Sequence, residues 1–135
     1  MQQLIRVIEE RLPRDSLPQL AQVLDTYNTC DWVNHIKFNK HTYNRKTIYK
    51  TPYFEVKIIS WQPGQETPFH LHNTRGCLMK VLWGQLEEVI SNGVNCIKYN
   101  TLEKGDISYM HGSNLFHQLR AEMDTVSIHI YSHVI

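Results

Sequence analysis

The stretch GQETPFHLHNTRGCLMKVLWG, from Gly64 to Gly84, decides how this chain is read. It carries His70 and His72 one residue apart and then Cys77, between two glycines. Side chains alternate faces along a β-strand, so a His-x-His pair sends both imidazoles to the same side. Imidazole is the commonest metal ligand among side chains. Two from one strand call for a third from elsewhere, and the candidates are His111, His117, His129 and His133. His117 follows the turn HGSN (111–114) and enters a new strand beside Phe116, which makes it the best partner for the pair, with His111 next. Cys77 has three readings: a small buried hydrophobe, a thiolate ligand, or a reactive partner for a neighbouring side chain. The interruption NTRG (73–76) resets the register, so its direction does not follow from that of His72.

Outward from this stretch the pattern is that of a strand-rich domain. YFEVKIISW (53–61) alternates and is β-branched; PFHLH, CLMKVLW and QLEEVIS read as further strands. SNG (91–93) is a hairpin signal from which VNCIKYN returns, EKGD (103–106) is a turn before ISYM, and DTVSIHIYSHVI ends the chain as a strand. Many short strands without intervening helices predict an antiparallel sandwich or barrel. On the last strand Val126, Ile128 and Ile130 face one way and Ser127, His129 and Tyr131 the other. That second face is either wet surface or the polar wall of a small-ligand pocket.

The front of the chain has a helical period. Leu4, Ile5, Ile8 and Leu12 recur at helical spacing until Pro13. Asp15 or Ser16 caps a second helix to about Leu24, with Pro18 in its first turn. From about Thr47 the strands begin. The basic run KHTYNRK (40–46) reads equally as a solvated loop or as a contributor to a pocket.

With 135 residues the chain is expected to be one domain, 1–135, with a helical front over 1–46 and a β-barrel over 47–135. A net charge of +1 gives no argument for nucleic acid or an anionic membrane as partner. No apolar run approaches the ~20 residues that span a bilayer. The amphipathic N-terminus is unlike a signal peptide. Three unevenly spaced cysteines, Cys30, Cys77 and Cys96, argue against a disulfide framework. A cytoplasmic monomer is the expectation.

Three neutral imidazoles would leave a divalent ion its full charge and open coordination positions. Iron(II) in such a site activates dioxygen, whereas zinc favours activated-water chemistry.

The spacing resembles the first cupin motif: Gly64, five residues, His70-x-His72, four residues, Cys77 at the usual acid position, six residues, Gly84. Gly105 and His117 resemble the ends of the second motif, with one extra residue between them. The resemblance implies a mostly β, cupin-type antiparallel β-barrel (jelly-roll) with two or three short N-terminal helices. Within the cupins, YNR (43–45), HLHNTRGC, LFHQL and SIHIYS (127–132) resemble cysteine dioxygenase. That resemblance implies an iron-dependent thiol dioxygenase taking L-cysteine and O2 to cysteine sulfinate. Its iron(II) ligands correspond to His70, His72 and His117; Arg45 would bind the substrate carboxylate, beside Tyr43. Ser127, His129 and Tyr131 form the polar wall, and a Cys77–Tyr131 thioether is implied as a protein-derived cofactor. The alternatives are a dioxygenase for another carboxylate-bearing thiol such as 3-mercaptopropionate and a non-catalytic metal-binding cupin. A zinc or manganese isomerase would call for an acid at Cys77.

Overall fold

The computed structural model describes residues 1–12, 14–71, 76–111 and 115–133. Eight strands form two antiparallel sheets. The larger has the order β1(Asn44–Lys50), β2(Phe54–Trp61), β8(Thr125–Ser132), β3(Cys77–Trp83), β6(Ile107–Met110); the smaller is β5(Cys96–Glu103), β4(Gln85–Ser91), β7(Phe116–Ala121).

The two-residue period of the strands sorts their side chains into two buried layers. Phe54, Val56 and Ile58 of β2, Leu78 and Leu82 of β3, and Val126, Ile128 and Ile130 of β8 pack under the helical front. The alternate residues Ile59, Trp61, Met79 and Val81 meet Leu86, Leu102, Leu119 and Ala121 of the smaller sheet. The larger sheet is therefore covered on both faces, which is why β2, β3 and β8 are nearly continuously buried.

The front begins with α1(Gln2–Arg11), whose Leu4 and Ile8 lie one turn apart and face the sheet. The second expected helix starts as a 3-10 turn, Leu17–Leu20, and continues as the short α2(Ala21–Asp25). The Ser16 backbone N–H donates to Gln19 Oε1 at 2.6 Å, a capping contact at that start. A further 3-10 turn spans Asp31–His35. Lys80, on the helix side of β3, is buried. Its ammonium donates to the carbonyl oxygens of Leu24 (3.1 Å), Asp25 (3.2 Å) and Tyr27 (3.0 Å). One lysine thereby satisfies the open C-terminal end of α2 and fixes it to the sheet. No helix among the described residues is long and apolar enough to cross a membrane.

Two local expectations differ from the structure. β1 begins at Asn44, three residues before the change of pattern at Thr47. It is an edge strand in which Arg45, Lys46 and Thr47 are exposed in succession, so no alternation marks its start. The described part of PFHLH is also not a regular strand: it holds the single bridge His70 to His117, and another, Glu66 to Arg120, lies just before it. The Thr67 N–H donates to the Leu119 carbonyl at 2.9 Å, and His70 N–H to the His117 carbonyl at 3.0 Å. Three steps on one side therefore match two on the other, as at a bulge. Pro68 sits in that interval and has no N–H to give a ladder.

Candidate active site

The inner face of the larger sheet supplies one wall of a cavity of about 390 Å³. Residues directly opposite on antiparallel strands share a face. Ser127 lies opposite Ile59 and Val81, His129 opposite Lys57 and Met79, and Tyr131 opposite Glu55 and Cys77. Arg45 on β1 lies opposite Ile59 and so joins the same face. The face read as wet surface or pocket wall is buried at Ser127 and His129. His129 and Tyr131 line the cavity together with Arg45 and Tyr43. Of the basic run, Tyr43 stacks on Trp61 with ring centroids 4.9 Å apart.

A chain of polar contacts runs through this wall. Trp61 Nε1–H donates to Ser127 Oγ at 3.0 Å, and Ser127 Oγ lies 2.8 Å from His129 Nε2. His129 Nδ1 lies 3.8 Å from Cys77 Sγ. Tyr131 is the direct cross-strand partner of Cys77 and lines the cavity together with Arg45. Burial pushes the Cys77 thiol well above its ordinary range. Burial, reinforced by Cys77, does the same to the Tyr131 phenol, and the Arg45 guanidinium opposes this without outweighing it. At neutral pH both are uncharged, so Tyr131 is a hydrogen-bond donor and Cys77 is not a thiolate.

The opposite wall brings two histidines together. His70 and His117 form a backbone pair with both N–H···O distances at 3.0 Å, and this sets their rings on one side. The two Nε2 atoms are 2.9 Å apart. Each ring is engaged at its other nitrogen: His70 Nδ1 lies 2.9 Å from the Pro68 carbonyl, and His117 Nδ1 lies 3.3 Å from Glu88 Oε2. A carbonyl and a carboxylate only accept, so both Nδ1 atoms carry the proton and both Nε2 lone pairs converge. Burial lowers the pKa of His70; the Pro68 contact opposes this, and His117 and Arg45 add to it.

Two lone pairs facing each other at that distance suit a shared cation. Metal–nitrogen bonds of about 2.1 Å meeting at a right angle put two nitrogens about 3 Å apart. The donor set fits a metal ion. Among the described residues no group of three ligating side chains closes around one point. His72, the remaining expected ligand, lies outside the described residues. Of the other third-ligand candidates, His129 bonds Ser127, His111 Nδ1 lies 2.9 Å from the Tyr109 hydroxyl, and His133 lies 3.8 Å from Glu55.

Glu88 is a site residue that sequence reasoning passed over. It is 1% exposed and takes hydrogen bonds from Ser108 Oγ at 3.0 Å and Asn100 Nδ2 at 3.3 Å. Burial disfavours its charge, yet the contacts from His117, Ser108 and Asn100 outweigh this and hold its pKa below the usual glutamate range. The signal was present in QLEEVIS, where alternation puts an acid between Leu86 and Ile90 on one face.

A family model described as Cysteine dioxygenase type I matches residues 1–134. The cysteine dioxygenase type 1 of Rattus norvegicus is 27% identical over 144 residues, covering 96% of this chain and 72% of that protein. Among solved structures, TT1209 from Thermus thermophilus superposes with a TM-score of 0.67 at 13% identity, over 78% of this chain and 96% of that one. An rmlc-like cupin protein from Desulfovibrio desulfuricans gives a TM-score of 0.64 at 22% identity, over 79% of this chain and 97% of that one. The two facing antiparallel sheets with a short helical front are a cupin-type fold.

Proposed function

We propose, from the premise that this chain belongs to the cysteine dioxygenase type I family, that it oxidises L-cysteine with O2 to cysteine sulfinate at an iron(II) centre. It is an enzyme of the dioxygenase type. The observation that carries the finer reading is the 2.9 Å approach of the His70 and His117 Nε2 atoms in a cavity also lined by Arg45 and Tyr131. His70, His117 and His72 would hold the metal. Bound iron(II) supplies a redox-active Lewis acid that favours the substrate thiolate and activates dioxygen beside it.

The chain's own groups supply binding and orientation. Arg45 binds the substrate carboxylate through charge-assisted hydrogen bonds. The neutral Tyr131 phenol, next to Arg45, donates a hydrogen bond to the reacting group or the carboxylate. Ser127, fixed by Trp61, sets the His129 ring, and Tyr43 stacked on Trp61 holds the wall behind Arg45. Ile59, Trp61 and Leu119 line the cavity and exclude water. In the net reaction both atoms of dioxygen end on sulfur, which is oxidised as dioxygen is reduced, and the thiol proton passes to the sulfinic acid.

The direct cross-strand pairing of Cys77 with Tyr131 supports a thioether between them. Forming that bond removes one hydrogen from the thiol and one from the ring, with dioxygen as oxidant. Intact mass after turnover is expected to lie two hydrogens below the sequence mass. A mass unchanged after many turnovers removes the cross-link from the reading.

The deciding experiment incubates iron(II)-loaded protein with L-cysteine in air and measures oxygen uptake and sulfinate together. One sulfinate per O2 supports the reading; cystine or peroxide as the main product sinks it. A second reading, a carboxylate-bearing thiol without an amine such as 3-mercaptopropionate, is favoured by one feature. No carboxylate is among the described residues that line the cavity, so no side-chain anion receives a substrate ammonium. Comparing kcat/KM for the two thiols separates them.

A further inference from the structure

We infer that Glu88 is a positioning residue that fixes the tautomer and ring orientation of His117 and so builds one arm of the metal site before any metal arrives. The inference rests on the metal-centre reading above for its consequence, but its geometry stands without it.

Three strands from two sheets aim at this one carboxylate. Asn100 on β5 is its direct cross-strand partner, His117 on β7 is a diagonal neighbour through Leu119, and Ser108 comes from β6 of the larger sheet. Ser108 reaches both oxygens, at 3.0 and 3.3 Å from Oε1 and Oε2. A buried carboxylate of this kind is costly unless each oxygen is satisfied, and here both are. Apart from the contact with His117, Asn100 and Ser108 on Oε1 and Ser108 again on Oε2 hold the carboxylate in place. An acceptor fixed 3.3 Å from Nδ1 leaves the His117 ring one low-energy arrangement, with Nδ1 protonated and the Nε2 lone pair turned toward His70. The carboxylate also places a negative charge one imidazole away from a cation that neutral histidines alone would not offset. Outer partners of metal-bound histidines typically contribute about 10–100-fold in metal affinity.

The test uses metal-free full chain and the metal alone. In wild-type protein, 15N spectra of the histidine rings are expected to show His117 protonated at Nδ1 and not at Nε2. Glu88→Met keeps the volume and removes the acceptor. In folded E88M, His117 is expected to lose that single-tautomer signature, and anaerobic Fe(II) titration is expected to show affinity at least tenfold weaker. A folded E88M in which His117 keeps the wild-type tautomer overturns the inference. Should E88M fail to fold, the wild-type ring spectra decide: His117 protonated at Nδ1 alone supports the role, and a mixed or Nε2-protonated ring overturns it. Wild-type protein that takes up no Fe(II) sinks the metal-centre reading instead, and the ring spectra still decide the role of Glu88.

Discussion

At the scale of single residues, the site divides into a wall whose chemistry is fixed by burial and a cation that stays open to a ligand. Arg45 is exposed enough to meet an incoming anion, yet its strand pairing with Ile59 keeps it on the cavity face. A hydrogen-bonded charge pair of this kind contributes about 3 kcal/mol, or about 100-fold in binding. Arg45→Ala is therefore expected to raise KM for L-cysteine by about 100-fold while changing KM for cysteamine, which lacks the carboxylate, only slightly. Parallel steady-state kinetics on the two thiols check this, and equal losses on both would remove Arg45 from carboxylate binding. Much of this wall was legible in the sequence, because Ser127, His129 and Tyr131 are set by strand parity alone. His117 was legible as the partner of His70, but the backbone bridge that sets their rings together was not, since it depends on a bulge around Pro68 that parity cannot count through. Glu88 was equally hidden, because a lone acid in an apolar alternation announces burial without naming its partners.

Among the elements, the turn between β3 and β4 is where the chain passes from the larger sheet to the smaller. Gly84 adopts φ +81° there, and a Cβ on it would lie 2.4 Å from the Asp124 carbonyl and 2.5 Å from Thr125 Oγ1. Thr125 Oγ1 is itself tied to the Gln85 backbone, accepting from its N–H at 3.2 Å and donating to its carbonyl at 3.1 Å. A side chain at Gly84 must therefore push backbone rather than a flexible side chain. Left-handed strain of about 1–3 kcal/mol adds to that displacement. Gly84→Ala is expected to destabilise by about 3 kcal/mol and lower Tm by roughly 10 °C, read by thermal unfolding of metal-free protein. A Tm within a degree or two of wild type would mean that the turn yields without strain. The glycine's position was visible from its motif spacing, but the reason for it lies in Asp124 and Thr125, forty residues downstream. The edge strand β1 illustrates the same limit: Asn44, Arg45 and Lys46 read as loop because successive polar, largely exposed residues leave no alternation there.

For the whole molecule, the burial that builds the two layers also sets how stability answers to pH. Tyr27, under the helical front, and Tyr131, in the cavity wall, both have pKa values pushed above the usual 10.0, chiefly by burial. Cys77 is pushed above 9.0 by the same cause. A group with a raised folded pKa stabilises fully below its unfolded pKa, and that contribution is lost as pH rises, because the unfolded chain releases a proton that the folded chain retains. Each such group removes about 1.4 kcal/mol per pH unit once its unfolded pKa is passed. Lys80 acts in the opposite sense, since burial lowers its pKa below 10.5 and the unfolded chain holds the proton longer. Tyr49, Tyr99 and Tyr109 are raised as well, so six groups against one predict a net loss. The urea midpoint of metal-free protein without the cross-link is expected to hold to about pH 9 and to fall steadily toward pH 11. Tyr131→Phe, which cannot ionise, should flatten that fall by the share of one group, whatever it does to stability at pH 7. A midpoint that is level or rising over this range would mean that the phenol and thiol ionise in place, and that the wall lined by Tyr131 admits water and charge in a way its burial excludes.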